Sequence, residues 1–151
     1  MPVKPVPDGY HTVTPYLTCT PVNEVVDFLM RTFDAIETVH MPGPDGRLMH
    51  AEVQIGDSML MLGEPSAQWK PMPAALYLYV ADCDATFKRA LAAGGVSVAE
   101  PADQFYGDRH CGVRDIAGNL WWIATHQEDV SPAEMKKRQE EITSSASDAT
   151  R

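Results

Sequence analysis

Apolar residues recur at Val22, Val25, Val26, Leu29, Met30 and Phe33, the spacing of a helix with one face against a core. Thr20-Pro21 just before them offers an N-cap and a proline for the first helical position. Upstream, residues 10–18 are β-branched and aromatic, which predicts a strand. Residues 36–41 predict another strand, and Pro42-Gly43-Pro44-Asp45-Gly46 a turn or loop. Residues 48–55 and 58–62 predict a hairpin closed by Gly56-Asp57.

After a connector at residues 64–73 the pattern restarts. Residues 74–80 predict a strand with two unlike faces. Leu76, Leu78 and Val80, with Val13 of the first half, are expected to face the helices. Tyr77 and Tyr79, with Tyr16 and Trp122, are expected on the opposite face. Asp82 can cap a helix carrying Cys83, Thr86, Phe87, Ala90 and Leu91, and Gly94-Gly95 ends it. Residues 96–99 predict a short strand. Residues 106–114 and 119–125 predict a second hairpin, turning at Ile116-Ala117-Gly118.

The two halves superpose at a shift of 61: Tyr16-Leu17 lands on Tyr77-Leu78, Val26 on Phe87, Gly46 on Gly107, Asp57 on Gly118 and Leu62 on Ile123. A gap-free shift predicts a duplicated strand–helix–strand–strand–strand unit, with modules at about 9–64 and 74–126 in a single α+β domain of residues 1–130. The remainder of the chain has a different character. Ser131-Pro132-Ala133-Glu134 is a capping box with proline at the first helical position. It predicts a largely charged helix to about Ile142, either on the surface or against a partner. Residues 143–151 are small and polar and are expected to be disordered.

Composition narrows the function. The net charge is −9, of which the segment from Gln127 onward, with six acids and four bases, carries −2. An acidic body argues against nucleic-acid and anionic-membrane binding and would suit a cationic ligand or plain solubility. No run of about 18 apolar residues exists to span a membrane, and residues 1–8 lack the apolar core of a signal peptide. Cys19, Cys83 and Cys111 are far apart with no C-x-x-C pair, which is expected of free thiols in a reducing cytoplasm.

Two tandem βαβββ units, together with His50-Ala51-Glu52-Val53-Gln54-Ile55-Gly56-Asp57-Ser58, Leu76-Tyr77-Leu78-Tyr79-Val80, Tyr106-Gly107-Asp108-Arg109 and the run from Asp115 to His126, resemble the vicinal oxygen chelate superfamily. That group includes glyoxalase I, bleomycin-resistance proteins and extradiol dioxygenases; the motifs are most similar to its PhnB-like branch. The resemblance implies two half-barrels of curved mixed sheet around a central cavity, helices outside, and a homodimer with halves exchanged or packed edge to edge. It also implies, for catalytic members, a divalent metal held by His, Gln or Glu from the first and last strand of each half. Those places fall on Thr14, Met61, Ala75 and Trp122. Ala and Trp offer no donor, and a Met thioether suits softer metals. No cofactor is therefore expected, and glyoxalase I or dioxygenase chemistry is disfavoured.

Other residues retain possible chemistry. His50 and Glu52 share one strand face and, with Glu64, form either an acid/base or off-pattern metal site or ordinary strand polarity. Tyr16, Tyr77, Tyr79 and Trp122 either line a small-molecule pocket or fill a core. Tyr106, Asp108, Arg109 and His110 cluster at a strand start, where Arg109 either clamps an anion or pairs with neighbours. His11, His40 and His126 read as strand-end or surface histidines. The expected function is metal-free binding of a small molecule in an aromatic cavity. The alternatives are a metal-dependent lyase, isomerase or dioxygenase around His50 and Glu64, and an interaction protein using the C-terminal helix.

Overall fold

In the computed structural model, which describes residues 2–150, the order is β1 (Tyr16–Thr18), α1 (Val22–Phe33), β2 (Ile36–Pro42), β3 (Leu48–Ile55), β4 (Ser58–Gly63), β5 (Ala75–Tyr79), α2 (Cys83–Ala92), β6 (Val96–Asp103), β7 (Asp108–Arg114), β8 (Leu120–His126) and α3 (Pro132–Asp148). The strands form two four-stranded sheets, ordered β1-β4-β3-β2 and β5-β8-β7-β6. In each sheet the first strand pairs in parallel with the last and the remaining pairs are antiparallel. The sheets are open half-barrels.

The repeat is visible in the hydrogen-bonded register. Tyr16 pairs with Met61 and Tyr77 with Trp122; Leu17 pairs with Leu62 and Leu78 with Ile123. The shift of 61 therefore holds for the first strand, the helix start and the last strand of each unit. It fails in between. Ile36 pairs with Gln54, and Val96 with Arg114, so β2 and β3 map onto β6 and β7 at a shift of 60. The second module is one residue shorter between helix start and β6 and one residue longer in its final turn. The gap-free alignment is corrected accordingly, and it matters for the site, because His50 corresponds to His110.

Other departures have local causes. The first strand begins only at Tyr16, where pairing with β4 starts; Pro15 has no N–H to give a ladder. Val13 is 81% exposed and does not pack on a helix. Pro21 itself occupies the N-cap of α1, with no capping side chain of its own, and the Val22 N–H donates instead to Glu64 Oε1 at 3.1 Å. Glu64 is thus a long-range cap, set at the end of β4. In α2, Asp82 caps as expected, accepting from the Ala85 N–H at 3.0 Å. β6 runs on to Asp103, and β7 begins at Asp108 because Gly107 turns with φ 101°. α3 continues to Asp148 in place of the expected disordered tail. Thr143, Ser145 and Ser147 each donate a hydroxyl to the carbonyl four residues back, which keeps polar side chains on the helix. Arg138 ties α3 to the domain through Glu128 and the Phe105 carbonyl, and also bonds Glu134 within the helix. Arg151 lies outside the described residues.

The core lies between helices and sheets. Val22, Val25 and Leu29 of α1 are fully buried, as are Val53, Leu62, Val113, Trp121 and Ile123. Each such side chain contributes roughly 1.5–3 kcal/mol on burial. α1 packs on α2, and this contact joins the modules. Phe28 and Phe33 of α1 reach across to Trp121 of β8, with ring centroids 6.4 and 5.8 Å away. At the rim Arg89 forks onto Asp34 and donates to the Arg31 carbonyl. Helices cover one face of each sheet and leave the other open.

The run from Asp115 to Trp121 is architectural. Buried Asp115 accepts from the N–H groups of Ala117 and Asn119, from Asn119 Nδ2 and from Trp121 Nε1, at 2.8–3.0 Å. Asn119 Oδ1 in turn accepts from the Ala74 N–H at 3.0 Å, fixing the entry to β5. Replacing Asp115 orphans several buried donors, whereas replacing Glu64 loses one cap. Asp115→Ala is expected to cost about 3 kcal/mol or more and Glu64→Ala about 1 kcal/mol. Equilibrium denaturation in urea measures both; equal losses would contradict this division of roles.

Candidate functional site

The open face of the second sheet carries a cluster of rings. Along β5 the alternation puts Tyr77 and Tyr79 on this face and Leu76 and Leu78 toward the core. Next to β5, Trp122 projects from β8, and beyond it His110 from β7. Trp122 and His110 stack, with centroids 5.1 Å apart and planes 19° from parallel. The stack needs Gly112, which pairs with Trp122: a Cβ there would lie 2.7 Å from the indole ring. Tyr77 and Tyr79 meet edge to face at 5.4 Å, and Tyr106 stands edge-on to His110. Tyr77 is 41% and Tyr79 65% exposed, so the rings form a surface platform and do not fill a core.

A single carboxylate organises the platform. Asp108, 3% exposed, accepts from Tyr77 OH at 2.9 Å, from Tyr79 OH at 3.0 Å and from His126 Nδ1 at 2.8 Å. Burial works against its charge, but the bonds from His126, Tyr77 and Tyr79 outweigh it and hold the carboxyl below the usual range. His126 also bonds Asp129 at 2.8 Å through Nε2, and the bonds to Asp129 and Asp108 raise its pKa. Tyr77 is pushed up, first by burial and then by Tyr106 and Asp108, so its hydroxyl stays protonated. His110 is pushed down by burial, partly opposed by Asp108, which favours the neutral ring. Its Nδ1 lies 3.2 Å from Tyr106 OH and 3.4 Å from Tyr77 OH.

The first sheet carries a related group. Tyr16 OH lies 3.4 Å from His50 Nδ1, just as Tyr77 OH lies 3.4 Å from His110 Nδ1. His50 Nε2 is 3.3 Å from Glu52 Oε1, and Glu52 Oε2 accepts from the Tyr10 hydroxyl. His50 and Glu52 are therefore brought together, and Tyr10 joins them from the segment before β1. Glu64 does not join; its carboxylate is on the α1 N-terminus. Arg109 is also used elsewhere. It lies on the helix side of β7, forked onto Asp84 at 2.7 and 3.0 Å with a third bond to Asp103 at 3.1 Å. That is the geometry of the neighbour-pairing alternative.

The roles of Asp108, His110 and His126 were not legible from the sequence. The pairing of His50 with His110 is hidden at a shift of 61, where His50 lands on Cys111, and appears at 60. The three cysteines are buried and unpaired, and burial pushes the Cys19 and Cys111 thiols up to about 12, which makes them inert.

For the metal that the fold family uses, the donor set does not fit. Of the four expected places, Thr14 lies ahead of β1, Met61 is on β4, Ala75 on β5 and Trp122 on β8, and neither Ala nor Trp offers a donor. Among the described residues no group of three or more His, Cys, Asp or Glu side chains is gathered as a metal site. A cleft of about 650 Å³ runs between the modules beside this platform, lined by Val13, Phe33, Ile55, Leu60, Leu76 and Leu78 and sharing Tyr77 and Tyr79 with it. Its one histidine, His11, is bonded to the Asp57 carbonyl. The cleft wall is more apolar than polar, its polar groups being His11, Asp57, Ser58 and the two tyrosines.

The sequence over residues 11–123 matches the family described as the glyoxalase/bleomycin resistance protein/dioxygenase superfamily. An uncharacterized protein of Mycobacterium bovis is 34% identical over 135 residues, covering 82% of this chain and 89% of the relative. Among solved structures, TioX from Micromonospora sp. ML1 superposes with a TM-score of 0.66 at 27% identity, over 77% of this chain and 98% of that one. TnmS3, an antibiotic binding protein from Streptomyces sp. CB03234, superposes with a TM-score of 0.62 at 22% identity, over 78% of this chain and 96% of that one. With its repeated βαβββ sheets and a family match over most of its length, the chain belongs to the glyoxalase/bleomycin resistance protein/dioxygenase superfamily.

Proposed function

We propose that this protein binds a small planar molecule on the aromatic face of its second sheet and does so without the metal usual in its superfamily. The observation that carries the reading is the Trp122–His110 stack, held flat over Gly112 and flanked by Tyr77 and Tyr79. Offset stacking on such rings is worth about 0.5–1.5 kcal/mol per pair beyond area burial. The hydroxyls beside it are already fixed by Asp108, so little ordering is left to be done on binding. Capture of an antibiotic by a protein of this fold, as the description of TnmS3 states for that protein, is in keeping with the reading. We infer further that the chain sits in the PhnB-like branch and works in a reducing cytoplasm as a homodimer.

The enzymatic alternative is favoured by one observation, the Tyr10–Glu52–His50–Tyr16 chain of contacts on the first sheet. A carboxylate that orients a histidine is the pattern of general acid/base catalysis. Glu64, as a helix cap, is not available to it. Metal analysis of protein purified without an affinity tag separates the readings. The binding reading expects substoichiometric divalent metal; one ion per chain would favour the enzyme.

The platform is tested first by ligand binding. In a thermal-shift screen of planar aromatic compounds, ligands should raise the melting temperature of the wild type, as RT ln(1 + [L]/Kd) requires. Trp122→Ala should abolish that rise. A screen without hits, or hits indifferent to Trp122→Ala, would remove the proposal.

The second test concerns pH. The folded-state pKa of His126 is raised, so its stabilisation is full below the ordinary histidine value of about 6.5 and is lost as pH rises through the folded value. The pKa of Asp108 is lowered, so its stabilisation is present above the ordinary carboxylate value and is lost as pH falls through the folded one. The stability difference between wild type and His126→Gln should therefore be largest near pH 5 and shrink toward pH 8. A difference that grew with pH would contradict the assigned ion pair.

A further inference from the structure

Resting on the binding reading above, the geometry points to a specific class of ligand: we propose that the platform selects planar aromatic cations, especially those carrying N–H donors, over neutral or anionic rings of the same shape.

Hydroxyl protons decide what the platform offers a ligand. Asp108 is acceptor-only when ionised, so the hydroxyl protons of Tyr77 and Tyr79 both point at its Oδ2. With the Tyr77 proton committed, either Tyr106 donates to His110 Nδ1 or, in the other tautomer, His110 Nδ1–H donates to Tyr106, whose own proton turns to Tyr77. The three phenol oxygens are left presenting lone pairs. A ligand lying on the stack therefore meets acceptors from the tyrosines, and at most one donor, Nε2 of the neutral His110. Such an edge favours a ligand that brings its own donors.

Charge points the same way. Asp108, Asp129 and His126 form one chain of bonds, and with His126 protonated the three still sum to −1. Loss of that proton takes them to −2. Among the described residues the neighbouring cations are already paired: Arg138, which donates to the Phe105 carbonyl beside Tyr106, is held by Glu128 and Glu134. Arg109 is on the other side of β7, occupied by Asp84 and Asp103. Arg114 shares the face of His110 but lies four residues along β7, roughly 13 Å at strand rise, where it donates to the Gly118 carbonyl. The strands of the first sheet contain no Lys or Arg at all, and there Glu52 accepts from Tyr10 and faces His50. The indole and phenol π-faces add attraction for a cation and none for an anion.

Three matched tricyclic probes test this: proflavine (cation), acridone (neutral) and anthracene-2-sulfonate (anion). Binding is read by quenching of intrinsic tryptophan fluorescence and by thermal shift, for the wild type, Trp122→Ala and Asp108→Asn. Proflavine is expected to bind about tenfold or more tightly than the sulfonate, the equivalent of one cation–π contact. The preference should narrow with added salt. Trp122→Ala should abolish binding, and Asp108→Asn should reduce the preference severalfold. Because the salt series uses only wild-type protein, the test stands even if Asp108→Asn does not fold. If acridone or the sulfonate binds as tightly as proflavine, and this binding is lost in Trp122→Ala, the charge selectivity is overturned and the platform survives. If no probe depends on Trp122, the platform falls, and the selectivity with it.

Discussion

The structure depends on one pairing made twice: the parallel contact between the first and last strands of each βαβββ unit. Tyr16 against Met61 and Tyr77 against Trp122 are the same register in two sheets. The pairing brings residues 45 positions apart into neighbouring places, across an intervening helix and hairpin. It fixes which side chains look at the open face. Trp121 must then point into the core, where Asp115 receives its indole N–H, and Trp122 must point out. A slip of one residue would exchange them, burying the platform ring and exposing the core one.

From this constraint the site is built in steps. Trp122 needs a flat bed, which Gly112 across the ladder provides. His110, two residues earlier on the same face of β7, becomes its stacking partner. Asp108, two residues earlier again, reaches the tyrosine hydroxyls of β5 and the imidazole at the end of β8. Asp108, His110 and Gly112 thus form an every-other-residue series on one strand, each with a different task. The intervening Arg109 is turned to the other side of the sheet and ties α2 to β6 and β7.

Much of this was legible in the sequence, and what was not has physical reasons. The α1 stripe, both hairpins, the Asp82 cap and the outward tyrosines of β5 follow from period and turn chemistry. The fold class follows from repeating them. Compensating one-residue differences were not visible, because apolar periodicity tolerates a shift that hydrogen-bond register does not. That slip concealed the correspondence of His50 and His110. The cap from Glu64 was not visible either, since it crosses from the end of β4 to a helix 42 residues earlier. Nor was the centrality of Asp108. An acidic residue at a strand start reads as solvent-facing, and only the tertiary structure supplies its three donors. The tail from residue 143 reads as too polar to order, yet α3 continues to Asp148, with its hydroxyls bonded to carbonyls four residues back.

The proposed ligand lies on the Trp122–His110 stack and not in the apolar cleft between the modules. An isotope-filtered NOE experiment on labelled protein, with a bound unlabelled planar aromatic compound, tells the two places apart directly. Cross-peaks are expected from the ligand ring to the ring protons of Trp122 and His110, which do not line the cleft. Cross-peaks to the methyl groups of Leu60, Leu76 and Leu78, with none to Trp122, would place the ligand in the cleft and contradict the platform.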